Sequence, residues 1–261
     1  MNERLRAEGI RFAYVHGRLV LRDLSLSLDE REILFVLGAN GSGKTTLLDC
    51  LAGLRAPQAG RVLLDGRPID RLASAERAKR VGLVPQLHEP VFDYTVREVV
   101  LMGRAPYLGL FARPGREDHR AVESALEAVG LRALCDRVYT EISGGERQLA
   151  LIARGLAQGA GCLLMDEPAA HLDPRHQADI FETVSRLASE GFSFVVTSHQ
   201  PNNALLYGDR AALLVDGRVD GEGSPDVAIT EAALQAAYGI EFEAIGSGDE
   251  LRAILPRVVR D

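Results

Sequence analysis

Lysine is almost missing from this chain. Of its 30 Lys+Arg residues only Lys44 and Lys79 are lysines, and the other 28 are arginines. Acidic residues outnumber basic ones and the formal net charge is −7, which argues against broad nucleic-acid binding, a task that calls for a basic face. Cysteine is sparse. Cys50, Cys135 and Cys162 are too few, odd in number and wrongly spaced for a disulfide framework or a zinc site, and they fit small buried residues in a reducing cytosol. No run of about 18 apolar residues occurs, so no membrane-spanning helix is expected, and the N-terminus shows no signal peptide. With 46% hydrophobic and 26% charged residues, the 261-residue chain has the balance of a globular protein with one large domain.

Against that background the position of Lys44 stands out. It lies in Gly38-Ala39-Asn40-Gly41-Ser42-Gly43-Lys44-Thr45, followed by Thr46, a G-x-x-x-x-G-K-[ST] phosphate loop. A compact, rotatable ammonium fits between phosphate oxygens where a forked guanidinium would not. The apolar run Ile33 to Leu37 predicts a buried parallel strand before the loop. The stretch Thr45 to Leu54, with Leu47, Leu48 and Leu51 on one face, predicts a helix after it. Such a junction aims backbone N–H groups and the positive end of a helix at phosphate. The motif implies a nucleoside triphosphate site, with Lys44 reaching the β- and γ-phosphates and the Thr45 hydroxyl on Mg²⁺.

The first third of the chain reads as β-rich, in Gly9 to Val15, Leu19 to Leu28 and Gly60 to Leu64, with Asp65-Gly66 as a hairpin turn. Ser74 to Arg80 reads as a short helix, and Val81 to Val84 as a strand stopped by Pro85. From about His88 to Gly159 the pattern becomes helical. Thr95 is placed to cap Val96 to Gly103, and Glu117 to Val129 carries Ala121, Val122, Ala125, Leu126 and Val129 at helical spacing. Gly109 to Gly115 reads as a loop. Apolar runs return at Cys162 to Met165, ending in Asp166-Glu167-Pro168, and at Phe194 to Val196, ending in Thr197-Ser198-His199. Ala211 to Val215 is a further strand with Asp216-Gly217 as its turn. Alternating strands and helices imply a parallel sheet with its ligand at the strands' carboxyl ends. Paired carboxylates there suit Mg²⁺ binding at Asp166 and activation of the attacking water at Glu167. Arg218 to Asp261 reads as peripheral, with no role assigned.

Ile142-Ser143-Gly144-Gly145-Glu146-Arg147-Gln148-Leu149, shortly upstream of Asp166-Glu167-Pro168, resembles the signature motif of ABC-type ATPases. The resemblance runs to about Gly239 and takes in six motifs in order: the phosphate loop, a Q-loop at Pro85-Gln86, the signature, the acidic strand end, a D-loop at His171-Leu172-Asp173 and a switch histidine at His199. Glu146 departs from the glutamine common in other branches. The resemblance implies a P-loop NTPase core with a mainly parallel sheet, an N-terminal antiparallel β region and an inserted helical subdomain. It divides the chain into a single domain over 1–240 (core 1–87 and 160–225, helical subdomain 88–159) and a peripheral 226–261. It also implies that Gln86 contacts Mg²⁺ or water and that His199 senses the γ-phosphate and holds Glu167. Tyr14 would stack on adenine, with Phe12, two residues away, expected on the same strand face. His171 and Asp173 would shape a dimer seam. Ser143, Gly144, Gly145 and Glu146 form a second anion-seeking helix tip, so two chains pair head to tail around each ATP.

In that family the work done with ATP varies. The resemblance points to a transporter subunit on the cytoplasmic face of a bacterial cell membrane, working with separate membrane-spanning permease subunits and, indirectly, a periplasmic or lipoprotein substrate-binding protein. Val84-Pro85-Gln86, Val100 to Arg104 and His171-Leu172-Asp173 are similar to the branch importing iron–siderophore, haem or cobalamin. Thr197 to Asn202 with Leu101 to Arg104 is also similar to molybdate importers. An exporter ATPase stays open as an alternative. A soluble member acting in DNA repair or translation is the remote one, since the chain lacks a coiled-coil insertion and a second such domain.

Overall fold

The structure is a computed structural model that describes residues 3–15, 17–86, 93–109, 112–247 and 250–257. Two compact units emerge, one from residues 1–71 with 193–261 and the other from 72–192.

In the first unit β1 (Glu3–Ala13) and β2 (Leu19–Asp29) pair antiparallel; their alternation is broken by register shifts, one of them between Ala7 and Ile10, and the strands bury Leu5 and Ile10 on β1 and Leu21, Leu24 and Leu28 on β2. β3 (Ile33–Leu37) is buried at every position, as its unbroken apolar run predicts. The phosphate-loop segment leads into α1 (Lys44–Leu51), which starts one residue earlier than expected and buries Leu47, Leu48 and Leu51. β4 (Ala59–Leu64) pairs with β1 and turns through Asp65 (φ 48°) and Gly66 (φ 72°) into the short β5 (Arg67–Pro68). Two consecutive left-handed residues are what a tight two-residue hairpin demands, hence Asp-Gly. The resulting antiparallel order is β2-β1-β4-β5.

The second unit begins with α2 (Ser74–Ala78) and β6 (Val81–Val84). The expected helical stretch opens at His88, but residues 87–92 lie outside those described. α3 (Val96–Leu101) is closed by a full capping box: Thr95 Oγ1 accepts from Glu98 N, and the Glu98 carboxylate accepts from Thr95 N. Val96, Val99 and Val100 are buried as expected. The α-helix stops at Leu101, short of Gly103, and continues as 3₁₀ turns over Met102–Tyr107. Pro106 accounts for this, since its ring clashes with the carbonyl four residues back. α4 (Arg116–Ala128) and α5 (Gly144–Ala157) complete a three-helix cluster. Within it Arg104 Nε donates to Asp118 Oδ1 (2.8 Å) and Arg104 Nη1 to the Ala157 carbonyl (2.9 Å), both side chains being largely buried. Of the predicted loop Gly109 to Gly115, residues 110 and 111 lie outside the described set. β7 (Cys162–Asp166) pairs parallel with β6, and α6 (Pro174–Ser189) follows.

The chain then returns to the first unit with β8 (Ser193–Ser198), α7 (Pro201–Tyr207) and β9 (Arg210–Val215). β3 lies between β8 and β9, parallel to both. Asp216-Gly217 makes a second tight turn into β10 (Arg218–Gly223), antiparallel to β9. Reading everything from Arg218 onward as peripheral therefore fails at its start, because β10 is part of the sheet. α8 (Pro225–Ala228) and α9 (Glu231–Tyr238) follow, then the hairpin β11 (Phe242–Ser247) and β12 (Glu250–Pro256). These elements bury Ile229, Leu234, Phe242 and Ile254, so the tail is packed. Asn202, in the first turn of α7, holds it by both ends of one amide: Nδ2 donates to the Ile254 carbonyl (3.1 Å) and Oδ1 accepts from Ile254 N (2.9 Å). The three cysteines are free and buried, and burial pushes the Cys50 thiol up to about 11. Among the described residues no helix is long and apolar enough to cross a membrane.

Candidate nucleotide site

Residues 38–43 join β3 to α1 without regular structure, and Gly43 stands at the helix N-cap with φ 110°. The Lys44 ammonium folds back over the loop, donating to the carbonyls of Gly38 (2.8 Å) and Ala39 (3.1 Å), and its side chain is buried. The loop is tight: a Cβ on Gly38 would stand 2.6 Å from the Leu214 carbonyl and 2.8 Å from Ser42 Oγ. Ser42 Oγ is itself buried with no hydrogen-bond partner among the described residues. A buried ammonium, an orphaned hydroxyl and the helix start form a donor set that suits a polyphosphate. Asn40, Gly41 and Thr45 of the same segment are exposed, and Thr46 is buried.

Beside the loop lies a cleft of about 410 Å³, lined by Tyr14, Arg18, Val20, Arg22, Gly41, Ser42, Asp216 and Gly217 among others. Tyr14 is 53% exposed, while Phe12 is 8% exposed and does not line the cleft. The expectation that the two share a strand face fails because β1 ends at Ala13, so strand alternation no longer governs Tyr14. The Tyr14 hydroxyl shares a hydrogen bond with Thr46 Oγ1 (3.0 Å). The Arg55 guanidinium lies over the Tyr14 ring, 4.6 Å from its centroid, and Arg55 Nε donates to Asp49 Oδ2 (2.8 Å). That hydrogen bond holds the Arg55 proton more tightly than usual. The sequence reading missed Arg55, and no pattern marks it. Also in this unit, exposed His199 directly follows the fully buried β8.

The remaining candidate residues belong to the second unit. Gln86 follows β6 and Pro85, exposed. Asp166 ends β7, and Glu167 next to it is held at φ 45°, a left-handed conformation that is costly for a non-glycine residue and clusters at functional sites. Ser143 caps α5 in a second capping box: its Oγ accepts from Glu146 N (3.3 Å), and Glu146 Oε2 accepts from Ser143 N (2.7 Å). Those bonds to Ser143 hold the Glu146 carboxyl below its ordinary value. Glu146 therefore completes the cap of this helix, a structural task that any residue of Gln or Glu type fulfils.

Asp173 caps α6 by accepting from His176 N (3.0 Å), with Pro174 in the first turn. Its other oxygen lies 2.6 Å from His176 Nδ1, and the paired bonds hold the Asp173 carboxyl low. The His176 ring packs on Gly145, and Leu172 on Gly144, so the two glycines of the predicted signature rest on the predicted D-loop and the helix after it. His171 is exposed with φ 64°. Among the described residues no group of three or more His, Cys, Asp and Glu side chains could hold a metal ion. The side-chain oxygens of Thr45 in the first unit and of Gln86 and Asp166 in the second are of the donor type that Mg²⁺ takes.

Known proteins agree with this picture. The family described as ABC transporter matches residues 21–170. The hemin import ATP-binding protein HmuV of Pseudomonas putida is 43% identical, over 85% of this chain and 88% of its own length. The ferric enterobactin transport ATP-binding protein FepC of Escherichia coli is 37% identical, over 91% and 88%. A solved metal-chelate type ABC transporter in an inward-facing conformation superposes with TM-score 0.86 at 31% identity, covering 99% of this chain and 98% of that one. A bacterial ABC transporter cassette solved as a dimer superposes at 0.72 with 28% identity, covering 85% and 98%. A glycine loop closed by a buried lysine, a serine-capped Gly-Gly helix and relatives matched along nearly their whole length lead to one assignment: this chain belongs to the ABC transporter family, as one of its ATP-hydrolysing, ATP-binding subunits.

Proposed function

We propose that this subunit powers import of a metal chelate (haem, an iron–siderophore or cobalamin) through separate permease subunits, on the cytoplasmic face of a bacterial cell membrane. Relatives at 35–43% identity named for hemin and petrobactin import and for ferric enterobactin transport support the cargo class. Haem is the first candidate, because the hemin-import relative from Pseudomonas putida is 43% identical. A substrate-binding protein outside the membrane would deliver the cargo.

The single observation that carries the nucleotide chemistry is the Lys44 ammonium held on the Gly38 and Ala39 carbonyls. These are weak acceptors that phosphate oxygens replace, so the ammonium is pre-oriented and little freedom is lost on binding. The backbone N–H groups of Gly41 to Thr46 and the Ser42 hydroxyl add donors, and Tyr14 offers a flat surface to the base. Mg²⁺, when bound, neutralises charge on the β- and γ-phosphate oxygens, and Thr45, Asp166 and Gln86 would hold it. Glu167 takes a proton from the attacking water or orients it, and His199 holds Glu167 and reads the γ-phosphate.

Two copies of the chain pair head to tail, and Ser143, Gly144, Gly145 and the capped end of α5 in one copy face the nucleotide on the other. A cassette of 28% identity solved as a dimer supports the pairing of two copies. Nucleotide binding closes the pair and hydrolysis opens it, so the permease is biased between two access states. Reconstitution with a metal-chelate permease tests the reading: ATP-dependent uptake of haem into vesicles, lost with Glu167→Gln, is expected. Uptake of none of the three chelate classes, with ATPase intact, overturns the import assignment.

A further inference from the structure

Tyr14 reaches the cleft from a chain segment that has already left β1, so the strand does not fix its ring. Three contacts do so instead. Phe12 meets the ring edge-on at a centroid distance of 5.1 Å, Thr46 holds the hydroxyl, and the Arg55 guanidinium covers a face at 4.6 Å. Arg55 is in turn tied down: its Nε donates to Asp49 on α1, and its backbone N–H bonds the Asp49 carbonyl (3.2 Å). Asp49 and Thr46 both lie on the helix that the phosphate loop opens.

From this geometry we propose that Arg55 is a positioning residue for the nucleotide base: it backs the Tyr14 ring so that the purine, Tyr14 and the guanidinium stack in order, with Asp49 as the anchor. The inference rests on Tyr14 being the base platform. A guanidinium over an aromatic face contributes modestly at an exposed site, and it also limits the rotamers the ring must surrender when a purine arrives. Through Thr46 and Asp49 the platform is built on α1, so the base and phosphate subsites share one rigid support.

A double-mutant cycle on the full chain, with ATP as ligand in calorimetry, tests this. Arg55→Met is expected to weaken ATP binding about two- to five-fold, Asp49→Asn to weaken it less, and Arg55→Lys to restore part of the loss. In a Tyr14→Ala background, Arg55→Met is expected to cause no further loss. An equal loss in both backgrounds overturns the proposal, since Arg55 would then act through general stability. If Tyr14→Ala weakens ATP binding while Arg55→Met does not, the Arg55 assignment alone falls. If Tyr14→Ala leaves ATP affinity unchanged, the platform reading falls and takes this one with it.

Discussion

The imidazole of His176 occupies the space that a side chain on Gly145 would need: a Cβ there would come within 2.8 Å of the ring's Cγ and 2.9 Å of His176 Cβ. Asp173 holds that ring through both the backbone and the side chain of His176. The glycine pair at the tip of α5 is thus shaped as much by its neighbour as by any ligand. Gly145→Ala is expected to destabilise the protein by about 1–3 kcal/mol through overpacking, although alanine is the better helix former. Adding His176→Ala should recover most of that loss in urea unfolding. A Gly145→Ala protein as stable as its parent would contradict the packing account.

Removal of the Lys44 ammonium takes away its hydrogen bonds to the Gly38 and Ala39 carbonyls together with the charge proposed to meet phosphate. Lys44→Ala is expected to weaken ATP binding by at least about ten-fold, from the ~1.5–3 kcal/mol typical of a hydrogen bond to a charged group. Calorimetry with ATP measures it directly, and unchanged affinity would end the phosphate-loop reading.

Glu167 sits in a left-handed conformation at the end of a buried strand, and Gln keeps its shape without its charge. The Glu167→Gln protein should bind ATP as the parent does while turnover falls by roughly 10²- to 10⁴-fold, the range for loss of a general base. It should also elute as a dimer with ATP in gel filtration. Rapid steady hydrolysis by this variant would remove Glu167 from the mechanism.

Acid sensitivity has an identifiable source in the helical cluster. The hydrogen bond from Arg104 and that from Gly115 N hold the Asp118 carboxyl below its ordinary value. A group depressed in the folded state stabilises it above the unfolded value of about 3.9, and that contribution disappears as pH falls through the folded value. Asp118→Asn should therefore lower stability at neutral pH by about 1–3 kcal/mol and flatten the decline below pH ~4. An unfolding curve with the parent's acid slope would assign that slope elsewhere.

Much of the fold was readable because its patterns are local. The unbroken apolar runs of β3, β7 and β8, the Asp-Gly turns and the Thr95 cap each state their structure within a few residues. Motif spacing located the Lys44 loop and the Ser143 cap for the same reason. What escaped depends on distant neighbours. Arg55 packs on Tyr14, 41 positions earlier, and His176 on Gly145, so no window of sequence contains either relationship. Tyr14 escaped strand alternation because β1 ends one residue before it, and α3 stopped early because Pro106 acts backward along the chain. The tail was illegible because its buried positions, Ile229 just after α8, Leu234 in α9, Phe242 in β11 and Ile254 in β12, are scattered one to each short segment.

Asn202 lies three residues after His199 and, through one carboxamide, satisfies both backbone groups of Ile254. A chain shortened before that residue would leave a severed amide at the root of α7, next to the histidine that follows β8. Trimming or fusing at the β11–β12 hairpin therefore reaches the helix just after His199 through a single side chain, and an engineered version of this subunit that keeps the root of α7 satisfied keeps that hairpin whole.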